Sequence, residues 1–323
     1  GSRHPFGMLG GVTALGGGEL EVYRQIRNAV PILDAAIGKL VRLTGGFTAV
    51  CGNAEAEKGL QQFLKSVDTG RGQCGIESFL EAFLQSMLVY GRAVGEMVVG
   101  GNELTAVLWG DVTKLYVQEG TSAMEFAFGQ WQDGEVKIFP RQNLILFAAW
   151  NPDEENPYGA SVFRSMPFLV DVLLKIYSTI GTNWERAGNV RYSVVYKPQD
   201  EAGRIDAQER SEQIASQWSQ AMQESRHGVV RDFVAVGDVE IKVIGADGQI
   251  LNSEVPVRQI LEQLVAKTGL PPFLLGLNWA STERMSAQQT DLLTSELWAI
   301  RRTVEPVLLR ICRLWMQLHG YAE

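Results

Sequence analysis

Val265-Ala266-Lys267-Thr268-Gly269-Leu270-Pro271-Pro272-Phe273-Leu274-Leu275-Gly276 ends one helix and delays the next. Upstream, Pro256 to Thr268 predicts a helix with Ser253 available as N-cap and Pro256 near its start. Val257, Ile260, Leu261, Leu264 and Val265 fall at helical spacing within it. Gly269 stops it, and two consecutive prolines exclude helix over the residues that follow. A loop then runs from Leu277 to Ser286, with Trp279 and the polar run Ser281-Thr282-Glu283-Arg284. From about Ser286 to Leu318 the apolar residues Leu293, Leu297, Ile300, Val304, Val307, Ile311, Leu314 and Leu318 alternate four and three apart, which is a seam for packing on other helices. Pro306 interrupts it, predicting one kinked helix or two in line.

Working outward, Pro167 to Ala187 predicts a long helix that Gly188-Asn189 ends. Phe168, Leu169, Val170, Val172, Leu173, Leu174, Ile176, Tyr177 and Ile180 make it apolar nearly all round. Such a surface has to be packed on several sides, either in the core of one chain or between neighbouring copies. Asp171 and Lys175, four apart, are placed to pair on it. Between this helix and Val255 lie a strand at Val190 to Tyr196, a polar helix at Asp206 to Ser225, and strands at Phe233 to Val236 and Glu240 to Ile244. A small α/β module is thus inserted between two helices, an excursion and return.

Toward the N-terminus, Gly1-Ser2 reads as a cloning remnant, and the glycine-rich Gly10 to Gly18 as a mobile lead-in. Glu19 to Leu43 predicts a helix that Pro31 bends, and Phe47 to Cys51 a short strand. Helices follow at Glu55 to Val67 and Ile76 to Tyr90, bracketing a polar loop from Asp68 to Gly75. Beyond Gly91 the period becomes that of strands, at Ala93–Val99, Leu104–Leu108, Lys114–Val117, Met124–Phe128, Val136–Phe139 and Leu144–Ala148, read as one antiparallel meander. Helices followed by a run of strands give an α+β fold. The acidic stretch Asn151 to Gly159 contains two prolines and no EF-hand spacing, so it reads as a solvated loop.

Composition narrows the function. At 323 residues and 46% hydrophobic the chain can bury a substantial core. No 18-residue window is free of charge or proline, so neither a transmembrane helix nor a signal peptide is expected. The three cysteines, Cys51, Cys74 and Cys312, are odd in number and lack C-x-x-C spacing, which argues against a disulfide framework or a zinc site. A net charge of −8 argues against a protein that grips nucleic acid by neutralising phosphates, but not against one that lets DNA slide past. No phosphate loop, H-E-x-x-H or G-x-S-x-G is present, and His4, His227 and His319 have no metal-ligand partner at helical spacing. Catalytic residues, metal ligands and cofactors are therefore expected to be none.

Three features together resemble the portal proteins of tailed bacteriophages, of the siphophage type: the Thr268-to-Gly276 turn between two helices, the "Pro-x-Gly-x-Ser" pattern of Pro157, Gly159 and Ser161 before a long helix, and the inserted module. The resemblance covers nearly the whole chain from Glu19. It implies a flexible lead-in at 1–18, a wing at 19–158 of helices and antiparallel sheet, and a first stem helix at 159–189. A small α/β clip at 190–252, a second stem helix at 253–269, a tunnel loop at 270–285 and a long kinked C-terminal wing helix at 286–323 complete it, with no crown. Residues implied nearest DNA are Leu277, Asn278, Trp279, Ser281, Thr282, Glu283 and Arg284, and those implied in the stem wall are Asp171, Lys175, Arg258 and Glu262. For Trp279, anchoring the loop by packing on the wing is the competing role.

The implied function is a ring, of about twelve subunits, at one vertex of the capsid of a virion, assembled in the host cytoplasm. It passes double-stranded DNA inward during packaging and outward at ejection, meeting the large terminase, a head–tail adaptor and the major capsid protein, and no membrane. Twelve helices about 10 Å thick placed side by side leave a bore of roughly 28 Å, wide enough for duplex DNA. Arg284, Arg301, Arg302, Arg310 and Arg313 give the last helix a basic face, read first as pairing with acidic neighbours in the ring and second as touching phosphate. The alternatives are another head or neck structural protein, such as an adaptor, and more remotely an enzyme of unknown chemistry.

Overall fold

The computed structural model describes residues 17–119, 126–132, 135–188, 191–196, 207–226, 239–244, 253–277 and 283–321. The first helical stretch is two helices, α1 (Gly17–Ala29) and α2 (Pro31–Thr44). Between them Val30 is extended, at φ −120° and ψ 94°. A residue before proline is pushed out of the helical region by the ring, so Pro31 opens a new helix instead of bending one. Phe47 to Cys51 forms no strand. Asn53 caps α3 (Ala54–Ser66), its side chain accepting from the amides of Glu55 and Ala56. The polar loop before α4 (Ile76–Tyr90) is a small hairpin of β1 (Asp68–Gly70) and β2 (Gln73–Cys74).

The strands beyond Gly91 are β3 (Arg92–Gly100), β4 (Glu103–Trp109), β5 (Leu115–Glu119), β6 (Phe126–Gln132), β7 (Glu135–Ile138) and β8 (Ile145–Ala149). They form two sheets and not one meander. The five-stranded sheet has the order β2-β1-β4-β3-β8, and β5-β6-β7 is a separate three-stranded sheet. One pairing is parallel, with Asp68 of β1 opposite Ala106 of β4. The break after β4 is local: Asp111 accepts from the amide of Thr113 and caps a 3-10 turn, Val112–Lys114, that turns the chain out of the first sheet.

α4 lies on the five-stranded sheet and α2 packs on α4, burying Leu33, Ile37, Phe79, Phe83, Met87 and Leu146. Beneath the second sheet Val94, Val112, Phe128 and Ile145 form a further cluster with Leu115, Val117, Phe139 and Phe147 against it. Gln142 fastens this cluster, donating to the carbonyls of Phe128 and Phe139 and accepting from the amide of Phe128. A second fastening lies where the chain leaves β8. Trp150 donates to the carbonyl of Gly91, Ala160 to that of Trp150, and Ser161 Oγ to that of Val89.

The last helix, α8 (Glu283–Leu318), runs 36 residues without a break at Pro306. Leu293, Ile300, Val304, Val307 and Ile311 of the predicted seam are buried, Leu308 and Trp315 are buried beside them, Leu297, Leu314 and Leu318 are half-buried, and the helix packs on α2, α3, β4 and β8. Trp315 sits so close to α3 that a Cβ on Gly59 would lie 2.8 Å from its ring.

By contacts the chain divides into two compact units, one made of residues up to Leu173 and from Pro256 onward, the other of Leu174–Val255. The helix α5 (Pro167–Gly188) begins in the first and ends in the second. The second unit also holds β9 (Arg191–Tyr196), α6 (Ala207–Arg226) and β10 (Val239–Ile244). β9 and β10 are antiparallel, paired from Arg191 with Ile244 to Tyr196 with Val239, and α6 packs on β9. The strand expected at Phe233 to Val236 lies outside the described residues. α7 (Glu254–Lys267) returns to the first unit and leads into the Pro-Pro turn.

Candidate functional site: the Pro-Pro turn and the face of α5

The stretch after α7 is a built turn. Thr268, buried, donates through Oγ1 to the carbonyl of Val265 at 2.7 Å and accepts there from the amide of Leu270. Gly269 takes φ +73°, and a Cβ in its place would lie 3.3 Å from Cγ of Glu296 on α8. A glycine answers both the backbone conformation and the close approach. Leu270 is buried, and Pro272–Leu275 forms a 3-10 turn packed on α2. Gly276, left-handed at φ 77°, closes it, and the amide of Leu277 donates to the carbonyl of Pro272 at 3.1 Å. Phe273 projects from this turn, 41% exposed.

Of the residues expected nearest DNA, Leu277 is the last described before the loop, half-buried and tied into the turn. Asn278, Trp279, Ser281 and Thr282 lie outside the described residues. Glu283 and Arg284 form the start of α8. Of the expected wall residues, Asp171 and Lys175 are exposed, one turn apart on α5. Arg258 and Glu262 are brought together, with Nε 2.9 Å from Oε1 in an exposed pair one turn apart on α7. A guanidinium already engaged by a carboxylate has less to offer a phosphate.

Among the described residues of α5, Val170 and Leu173 near its start are buried. From there its apolar surface is open: Leu174 is 39%, Tyr177 46% and Trp184 65% exposed. At 100° per residue these three share one face of the helix.

Two expectations about charge change. The acidic loop is not merely solvated: Arg164 binds Asp153 and Glu155, the latter at 2.6 Å, while Asp153 also accepts from the amide of Asn156. Arg164 beside Asp153, helped by the Asn156 amide, lowers the pKa of that carboxyl below its usual value. The basic face of α8 is partly committed within its own chain. Arg301 donates to the carbonyls of Thr44 and Leu43 at the C-terminus of α2, at 2.8 and 3.4 Å. Arg310 donates to the carbonyls of Ile145, the first residue of the edge strand β8, and of Asn143 in the 3-10 turn before it, at 3.0 and 2.8 Å. These two arginines therefore serve the fold, as a helix C-cap and as an edge-strand cover. No sequence signal separates them from Arg302 and Arg313, which are exposed.

Among the described residues no group of histidine, cysteine, aspartate and glutamate side chains could hold a metal ion, and no helix is long and apolar enough to cross a membrane. Burial pushes the Cys312 thiol up to about 11, which suits a packing role.

No family model matches the sequence, and neither does any curated protein. Solved structures do match. A chain in the neck of a native gene transfer agent particle, computed with C12 symmetry, aligns over 97% of this chain and 84% of its own, at 18% identity and a TM-score of 0.67. A chain in the virion of a native gene transfer agent particle aligns over 97% and 85%, at 16% identity and a TM-score of 0.66. An HK97-family phage portal protein from Corynebacterium diphtheriae aligns more loosely, over 91% and 89%, at 12% identity and a TM-score of 0.42. The chain thus shares its α+β fold with chains in the neck and in the virion of gene transfer agent particles.

Proposed function

We propose that the chain is a portal subunit, a structural and not a catalytic protein, that forms a closed ring at one capsid vertex and encloses a channel for double-stranded DNA. The observation that carries this reading is the fold shared over 97% of the chain with a protein in a particle neck of C12 symmetry. The open apolar face of α5 supports it, because such a stripe on an isolated chain needs a partner, and a cyclic ring supplies one without leaving ends.

In this reading residues 19–158 and α8 form the wing, α5 and α7 the stem, residues 190–252 the clip, and residues 270–285 the loop toward the bore. The clip docks the large terminase during packaging. A head–tail adaptor takes over afterwards, and the wing meets the major capsid protein. The wall does not bind DNA tightly: the chain carries −8, and Arg258 is paired with Glu262. Each tight phosphate contact would hold back a moving duplex.

The test is packaging itself. In a system that produces the particle, omitting this chain is expected to give heads that contain no DNA, and restoring it to give filled heads. Filled heads made without the chain would overturn the proposal.

A further inference from the structure

The turn that carries the loop is wedged between two helices, and one side chain ties those helices together. The 3-10 turn Pro272–Leu275 rests on α2, and Gly269 abuts Glu296 of α8. Five residues further along α8, Arg301 reaches the last carbonyls of α2, those of Leu43 and Thr44. A cation is favoured at a helix C-terminus, where the unpaired carbonyls concentrate partial negative charge, and the planar guanidinium reaches two of them from one side chain. The Arg301 guanidinium also lies over the Trp298 ring, 5.9 Å from its centroid. Gly45, just past α2, lies beside the guanidinium, and its φ of +74° ends the helix there.

We infer that Arg301 is a positioning residue for the Pro-Pro turn, Thr268 to Leu277. It latches the end of α2 to α8 and so fixes the wedge that this turn forms between them. The functional consequence rests on the reading of residues 270–285 as the part nearest DNA, whereas the latch itself does not.

Hydrogen exchange of the full chain, read by mass spectrometry, tests the latch. In the wild type the amides of Leu274, Gly276 and Leu277 are held by the carbonyls of Pro271, Phe273 and Pro272. In Arg301→Gln, exchange over 270–277 is expected to rise about tenfold along with that of 41–46, and Arg301→Lys, which keeps the charge and loses the fork, to fall between. A rise confined to 41–46, with 270–277 within about twofold of wild type, would reduce Arg301 to a local helix cap and overturn the inference. If Arg301→Gln does not fold, the same two peptides in Arg301→Lys decide the matter. A separate arm measures DNA retention in filled particles carrying Arg301→Lys. Raised exchange at 270–277 with unchanged retention would leave the latch standing and count against the channel reading of the loop.

Discussion

Two arginines on α8 show how a residue that looks like surface charge can hold a fold together. Arg310 binds the carbonyls of Ile145, at the start of the edge strand β8, and of Asn143 just before it. Replacing it with alanine is expected to cost about 1–2 kcal/mol, read from denaturant unfolding. Asp153 makes a second residue-level prediction, with a definite sign. Its folded pKa lies below the ordinary 3.8, so its contribution is present above that value and lost as the pH falls through the lower, folded one. Asp153→Asn should therefore lower the thermal midpoint at pH 7, and the difference from the wild type should shrink as the pH is lowered below 3.8. None of these partnerships was legible in the sequence. Arg301, Arg302, Arg310 and Arg313 look alike along the helix, and only the placement of α2 and β8 beside it separates those that bind carbonyls from those that do not.

Elements were more legible than their partners. The helices α3, α4, α5 and α8 follow from apolar spacing and from capping residues such as Asn53, because both signals are local. The division of α1 from α2 was equally local, but the effect of Pro31 on Val30 outweighs the continuous apolar stripe across them. Strand pairing was readable in part: β3 with β4, β5 with β6 and β6 with β7 pair antiparallel in chain order, as a meander requires, whereas β1 lies parallel to β4, and a three-residue strand has no periodicity to announce itself. The contact between Gly91 and the returning chain at Ala160 is likewise tertiary. At Gly91 φ is +79°, and a Cβ would lie 2.6 Å from the carbonyl carbon of Ala160, so Gly91→Ala is expected to cost more than about 3 kcal/mol and to yield little folded protein. The face of α5 makes the opposite prediction. Because Leu174, Tyr177 and Trp184 are exposed, Leu174→Asp with Tyr177→Asp should leave the secondary structure of the single chain unchanged by circular dichroism while abolishing assembly.

For the whole molecule the claim is that one chain of two units becomes useful only as a ring. The Thr268-to-Gly276 turn was legible in the sequence from Gly269 and the two prolines, and the structure shows how that turn is built. The account therefore stands or falls on closed assembly. The direct measurement is the mass of the purified protein by native mass spectrometry together with electron-microscope end views. Twelve copies of the 35.7 kDa chain weigh about 430 kDa, and the account predicts that mass with a central hole about 28 Å across. A monomer or dimer that persists at high concentration and in high salt, with no ring in any view, would contradict it.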